Sequence, residues 1–126
     1  MKKIRLQDTP APVGHYSPAV VHNGLIFVSG QLPINHETGE VETDSIEAQT
    51  ELALQNVEAI LHAANSDLNH VLQMTIYLSD IELWGKVNEV YARILGEHKP
   101  ARTIVPVKDL HFDTQIEIQA IAAVKD

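Results

Sequence analysis

The segment AVVHNGLIFVSG, Ala19 to Gly30, decides the fold. Two β-rich runs flank Asn23-Gly24, and both of those residues tolerate the positive φ that closes a tight hairpin. The second run has no wet face. Leu25 and Phe27 alternate with Ile26 and Val28, so side chains on both sides of the strand are apolar. Such a hairpin must be covered twice, and the rest of the chain determines what can cover it.

Upstream, Pro10 and Pro12 mark an irregular entry. Downstream, Ile46, Ala53, Val57, Ile60, Leu61 and Ala64 form an apolar stripe at helical spacing. The helix is expected to start near Asp44, with Asp44 and Glu47 at capping-box spacing, and to close at Asn65. VLQMTIYLS, Val71 to Ser79, reads as a strand. Asp80 is the expected cap of a second helix, whose apolar face holds Trp84, Val87, Val90, Tyr91, Ile94 and Leu95. Trp84 and Tyr91 are expected in the core. Gly96 ends this helix and Pro100 blocks its continuation.

Two strands complete the chain. ARTIVPV, Ala101 to Val107, contains Pro106, which lacks a ladder donor and points to an edge or a bulge. TQIEIQAIAAV, Thr114 to Val124, places Ile116, Ile118, Ala120 and Ala122 on one face. Gln115, Glu117, Gln119, Ile121 and Ala123 share the other.

The order β-β-α-β-α-β-β describes one α+β domain over residues 1–126, a sheet of about five or six strands with two helices on one face. The second face stays apolar at the hairpin and at Ile121 and Ala123, and no segment remains to bury it. A homo-oligomer packed sheet face to sheet face is the expected solution.

Composition narrows the function. At 126 residues the chain can build one core but not two. No apolar run approaches the ~20 residues of a membrane span, and the basic start MKKIRLQDTP has no apolar stretch of a secretory signal behind it. The absence of cysteine removes disulfide and thiol chemistry and fits a cytoplasmic protein. Net charge is −8, and the nine basic residues are scattered, which argues against nucleic acid as a partner. The seven histidines show no metal-binding spacing, so no metal is expected.

Arg102 and Glu117 are the pair that could carry chemistry. They occupy the last two strands, are expected near one another, and by alternation should both face away from the helices. They read either as a cross-strand salt bridge at a subunit contact or as a carboxylate clamp beside a general acid or base. Apolar neighbours would raise the Glu117 pKa and Arg102 would lower it. Tyr16, in the loop GHYS (Gly14 to Ser17), offers a hydroxyl. Ser29-Gly30-Gln31 reads as a strand-end bulge or a polar lip near a ligand.

The stretches GHYSPAV, FVSGQLP, TGEV, QNVEAIL, VNEVY, GEHKPART and IEIQAIA resemble, in order and spacing, the Rid family, also called YjgF. The likeness runs from Pro10 to Val124, and its most specific part is PART followed fifteen residues after Arg102 by Glu117. The resemblance implies a chorismate-mutase-like fold and a homotrimer with clefts between subunits. It implies hydrolysis of reactive 2-imino acids to 2-oxo acids and ammonia, in the manner of 2-iminobutanoate/2-iminopropanoate deaminases, without cofactor or metal. Arg102 matches the arginine that binds the substrate carboxylate, and Glu117 the glutamate that positions or activates water. Tyr16, Ser29 and Asn88 match residues that line the cleft, and Gly30 fits a close backbone approach.

This chain departs from the family pattern at several positions. His15 replaces a proline, and Thr103-Ile104-Val105-Pro106-Val107 replaces Ser-Cys-Val-Glu-Val. The resemblance implies that Ile104 keeps a contact made through backbone while narrowing the pocket. His111-Phe112 replaces Pro-Lys, and Gln119 replaces a second glutamate. The competing expectations are a trimeric regulator that binds 2-oxo acids without turnover and, ranked lower, an endoribonuclease or translation inhibitor.

Overall fold

The computed structural model describes residues 1–126. Six strands form one mixed sheet: β1 (Lys2–Ile4), β2 (Ala19–His22), β3 (Leu25–Gln31), β4 (Val71–Leu78), β5 (Ala101–Pro106) and β6 (Ile116–Ala123). Their spatial order is β1-β2-β3-β6-β4-β5. Only β4 and β5 run parallel, and the helix α2 (Trp84–Leu95) provides the crossover that a parallel pair needs. The other helix, α1 (Ile46–Ala63), packs beside α2 on the same face of the sheet. Two helices on a single α+β sheet are what the sequence pattern requires. The strand it does not reveal is β1, whose three residues carry too little alternation to read.

The hairpin turns at Asn23 (φ 51°) and Gly24 (φ 77°), as their chemistry demands. Along the sheet, one set of side chains closes the core: Ile26 and Val28, Met74, Ile76 and Leu78, and Ile116, Ile118, Ala120 and Ala122 are all buried. They meet Ala53, Leu54, Val57, Ile60 and Leu61 of α1 and Val87, Tyr91 and Leu95 of α2.

Two helix starts differ from expectation. Ser45, not Asp44, caps α1, accepting from Ala48 N at 3.0 Å. Its φ/ψ of −149°/163° is the extended geometry that a cap requires, and such a cap is worth ~1 kcal/mol. Asp80 caps a 3-10 turn, Ile81–Leu83, by accepting from Glu82 N at 2.9 Å. The α-helix begins only at Trp84. Its first turn has nothing beneath it: Trp84, Gly85 and Lys86 are open, and the buried stripe starts at Val87. Trp84 is therefore half exposed and not a core residue, whereas Tyr91 is buried.

The second face of the sheet is uncovered in the single chain. Val20, Phe27 and Ile121 stand in register across β2, β3 and β6, with Phe27 44% exposed. Tyr77 Oη donates to Gln119 Oε1 at 2.6 Å farther along this face. No helix is long and apolar enough to cross a membrane.

Candidate functional site

The expected site residues fall into two groups, and one chain does not bring the groups together. The first forms where β3 leaves β6. Val28 pairs with Ala120, but the next partner of Ile118 is Gln31, so β3 carries one residue too many. This is a β-bulge, and it lies at Ser29-Gly30. The bulge turns the Gly30 backbone onto Glu117, so that a Cβ built at Gly30 would fall on the Glu117 carboxylate. Only glycine permits that approach. Ser29 Oγ donates to the Ser17 carbonyl at 2.6 Å, which ties the Tyr16 loop to the bulge. Tyr16 itself is 57% exposed.

The strand that carries Glu117 is tied to α1 at its start. Gln49, buried on α1, accepts from Gln115 N at 2.8 Å and fixes the start of β6. The carboxylate is half buried and has no ion-pair partner. Burial raises its pKa, and the charge of His111 opposes the rise. The sequence marks His111 only as a departure from the family pattern, not as a candidate site residue. It sits in a tight turn with Phe112 (φ 60°) and Asp113 (φ 56°), where the family pattern has Pro-Lys, so no motif marks it.

The second group lies at the β5 edge. Arg102 Nη1 donates to Asn88 Oδ1 of α2 at 2.8 Å, and its Cζ stands 4.9 Å from the Tyr91 ring centroid. Ile104, two residues along the same side of β5, is partly buried against the core. Arg102 is exposed and forms no ion pair. The part of Tyr91 in this group was missed, although Asn88 and Tyr91 are three apart and so share a helix face.

The expectation that Arg102 and Glu117 share a face fails. β4 lies between β5 and β6. Arg102 is in register with Met74, which points into the helix layer, whereas Glu117 is opposite Tyr77 on the uncovered face. Two strand spacings across and three residues along β4 put their Cα atoms about 14 Å apart. The intrachain salt bridge does not form. Sequence adjacency of the two strands misled, because the crossover through α2 places β5 outside β4.

A cleft of about 240 Å³ opens under the Pro10–Val13 segment. It touches Tyr16, Gly30, Gln31, His36 and Ile60, but neither Glu117 nor Arg102.

A model of the family described as endoribonuclease L-PSP matches residues 6–124. The chain belongs to this family, the Rid or YjgF family. A RutC family protein of Pyrococcus horikoshii is 46% identical over 119 residues, covering 94% of each chain. A Lactococcus lactis protein provisionally named the regulator AldR is 42% identical over 125 residues, covering 99% of each. TdcF of Escherichia coli, provisionally named a reactive intermediate deaminase, is 37% identical over 126 residues, covering 97% of each. A crystal structure of TdcF with bound serine superposes with a TM-score of 0.91 at 35% identity, covering 99% of this chain and all of that one.

Proposed function

We propose that the protein hydrolyses reactive 2-imino acids to 2-oxo acids and ammonia, in three clefts of a homotrimer. The observation that carries this reading is the state of Glu117. It is a half-buried carboxylate without a counter-ion, its pKa is raised, and the backbone of Gly30 lies directly against it. A carboxylate of this kind is suited to take a proton from water. The reactive-intermediate deaminase name of TdcF and the serine bound in its crystal structure support a small amino-acid-like molecule as the substrate class.

Arg102 supplies the complementary half. Its charge is not neutralised by any carboxylate of the chain, so its fork is free to grip the carboxylate of a substrate. A cleft between copies lets Arg102 of one copy face Glu117 of the next. Ser29, Gly30 and Tyr16 then border the reacting carbon, and Asn88 and Ile104 border the carboxylate end. The reaction balances without a cofactor. Water adds to the electrophilic iminium carbon as Glu117 accepts one of its protons. The carbinolamine then collapses: Glu117 returns that proton to the amine, the C–N bond breaks to release ammonia, and the hydroxyl proton passes to the Glu117 carboxylate and on to solvent as the 2-oxo acid forms.

The AldR name supports a second reading, a regulator that binds 2-oxo acids without turnover. A third, ribonuclease activity, has the family description behind it but meets a net charge of −8. One experiment separates them. A threonine dehydratase generates 2-iminobutanoate in situ, and its decay is followed with and without the protein. Glu117→Gln should bind 2-oxobutanoate yet slow hydrolysis about 10²–10⁴-fold, the usual worth of a general base. Arg102→Lys keeps the charge but loses the fork, so it should weaken binding. Wild-type protein that gives no acceleration would leave the regulator reading. Ribonuclease activity that survives extensive purification and vanishes in Arg102→Ala would favour the third.

A further inference from the structure

Arg102 stands at the open edge of the sheet, yet its guanidinium is held on two sides. Asn88 Oδ1 accepts from Nη1, and the ring of Tyr91, three residues on along α2, lies against the guanidinium with its centroid 4.9 Å from Cζ. Tyr91 is 6% exposed, and its hydroxyl is buried without a hydrogen-bond partner. An unpaired buried hydroxyl is unfavourable, so hydrogen bonding is not what keeps this side chain in place. The rest of the side chain, the ring, has Arg102 against its face.

We propose that Tyr91 is a positioning residue for the carboxylate anchor: its ring face fixes Arg102 so that Nε and Nη2 are left for the carboxylate of a 2-imino acid. This rests on the reading of Arg102 as that anchor. The choice of an aromatic partner has a physical reason. A carboxylate beside Arg102 would orient it as well, but it would also neutralise it and compete with the substrate. A ring face attracts the cation through its quadrupole and leaves the net charge intact. Asn88 contributes a neutral acceptor for the same end. Burial also raises the pKa of the Tyr91 hydroxyl, against the opposing charge of Arg102, so the phenol stays neutral and adds no competing anion.

The test varies the ring electronics at fixed shape. Three proteins carry tyrosine, phenylalanine or pentafluorophenylalanine at position 91, and each is assayed on 2-iminobutanoate generated in situ. Tyr91→Phe should keep the apparent KM within about twofold, because the ring face is retained. Fluorination reverses the ring quadrupole and should raise KM about tenfold while kcat changes little, since Glu117 is untouched. Thermal unfolding of all three should stay close, which separates positioning from packing. A KM indifferent to fluorination would overturn the proposal, as would a Tyr91→Phe protein as impaired as the fluorinated one. Arg102→Ala is assayed in parallel. If it leaves KM unchanged, the anchor reading itself fails, and Tyr91 fails with it. If it raises KM while fluorination does not, only the positioning role is lost.

Discussion

Arg102 and Glu117 occupy opposite faces of one sheet, with β4 between their strands. No side-chain rotation in a single chain lets both reach one small substrate. If both act on the same molecule, they must come from different copies. Mixing therefore gives a direct test. Arg102→Ala and Glu117→Gln proteins should each be nearly inactive alone. Unfolded together and refolded at equal ratio, they should regain about a quarter of wild-type activity, because one random pairing in four joins an intact arginine to an intact glutamate across a subunit contact. Activity that does not return on mixing would remove one of the two groups from the reaction.

The uncovered face makes a second demand. Val20, Phe27 and Ile121 form an apolar row in register across three strands. Ile121→Glu sets a charge in the middle of that row, where a subunit contact would have to desolvate it at a cost of several kcal/mol. The variant should remain folded, since the core lies on the other face, but it should fall to monomer mass in light scattering. Hydrolysis should fall with assembly. A trimeric, active Ile121→Glu protein would move the contact elsewhere on the surface.

Gly30 has a third, local consequence. A methyl group there collides with the Glu117 carboxylate. Gly30→Ala should displace Glu117 and lower kcat more than it raises KM, because the Cβ meets Glu117 and not the carboxylate anchor, Arg102. A 1 Å displacement of a reacting group can cost about 10²-fold. The fold should tolerate the change, since the group that must move is the end of a flexible side chain. An unchanged kcat would mean that the position of Glu117 is immaterial.

The fold was legible because its signals are local. Asn23-Gly24, the helical stripes, Gly96 and the alternation of Ile116 to Ala123 each act within a few residues, and each reappears in the structure. Pro106 correctly marked β5, which is an edge strand. What sequence could not give was the order of strands in space. Alternation assigns Glu117 to a face relative to its own strand, but the face of Arg102 depends on its register with β4, a long-range fact. Trp84 failed for a related reason: helical spacing sets the direction of a side chain, not whether another layer lies under it. Tyr91 was legible as core and illegible as a partner of Arg102, because the two meet only through the β4-α2-β5 crossover.

The pH dependence of Glu117 can be worked out with its sign. Burial raises its pKa above the ordinary carboxylate value, and His111 holds the rise in check. Only the ionised form accepts a proton, so the acid limb of kcat/KM should lie above the pH expected for a free glutamate. His111→Asn removes the opposing charge and should move that limb farther up. Stability should follow the opposite course. A carboxyl whose folded pKa exceeds its unfolded pKa contributes most when both states are protonated, and that contribution is lost as pH rises through the folded value. Glu117→Gln has no such loss. Its stability relative to wild type should therefore grow with pH across the same interval in which wild-type activity rises. Chemical denaturation at a series of pH values, set beside the kcat/KM profile, checks both limbs on one protein. A stability difference that is flat or falls with pH would show that Glu117 is not a buried base held at an energetic cost.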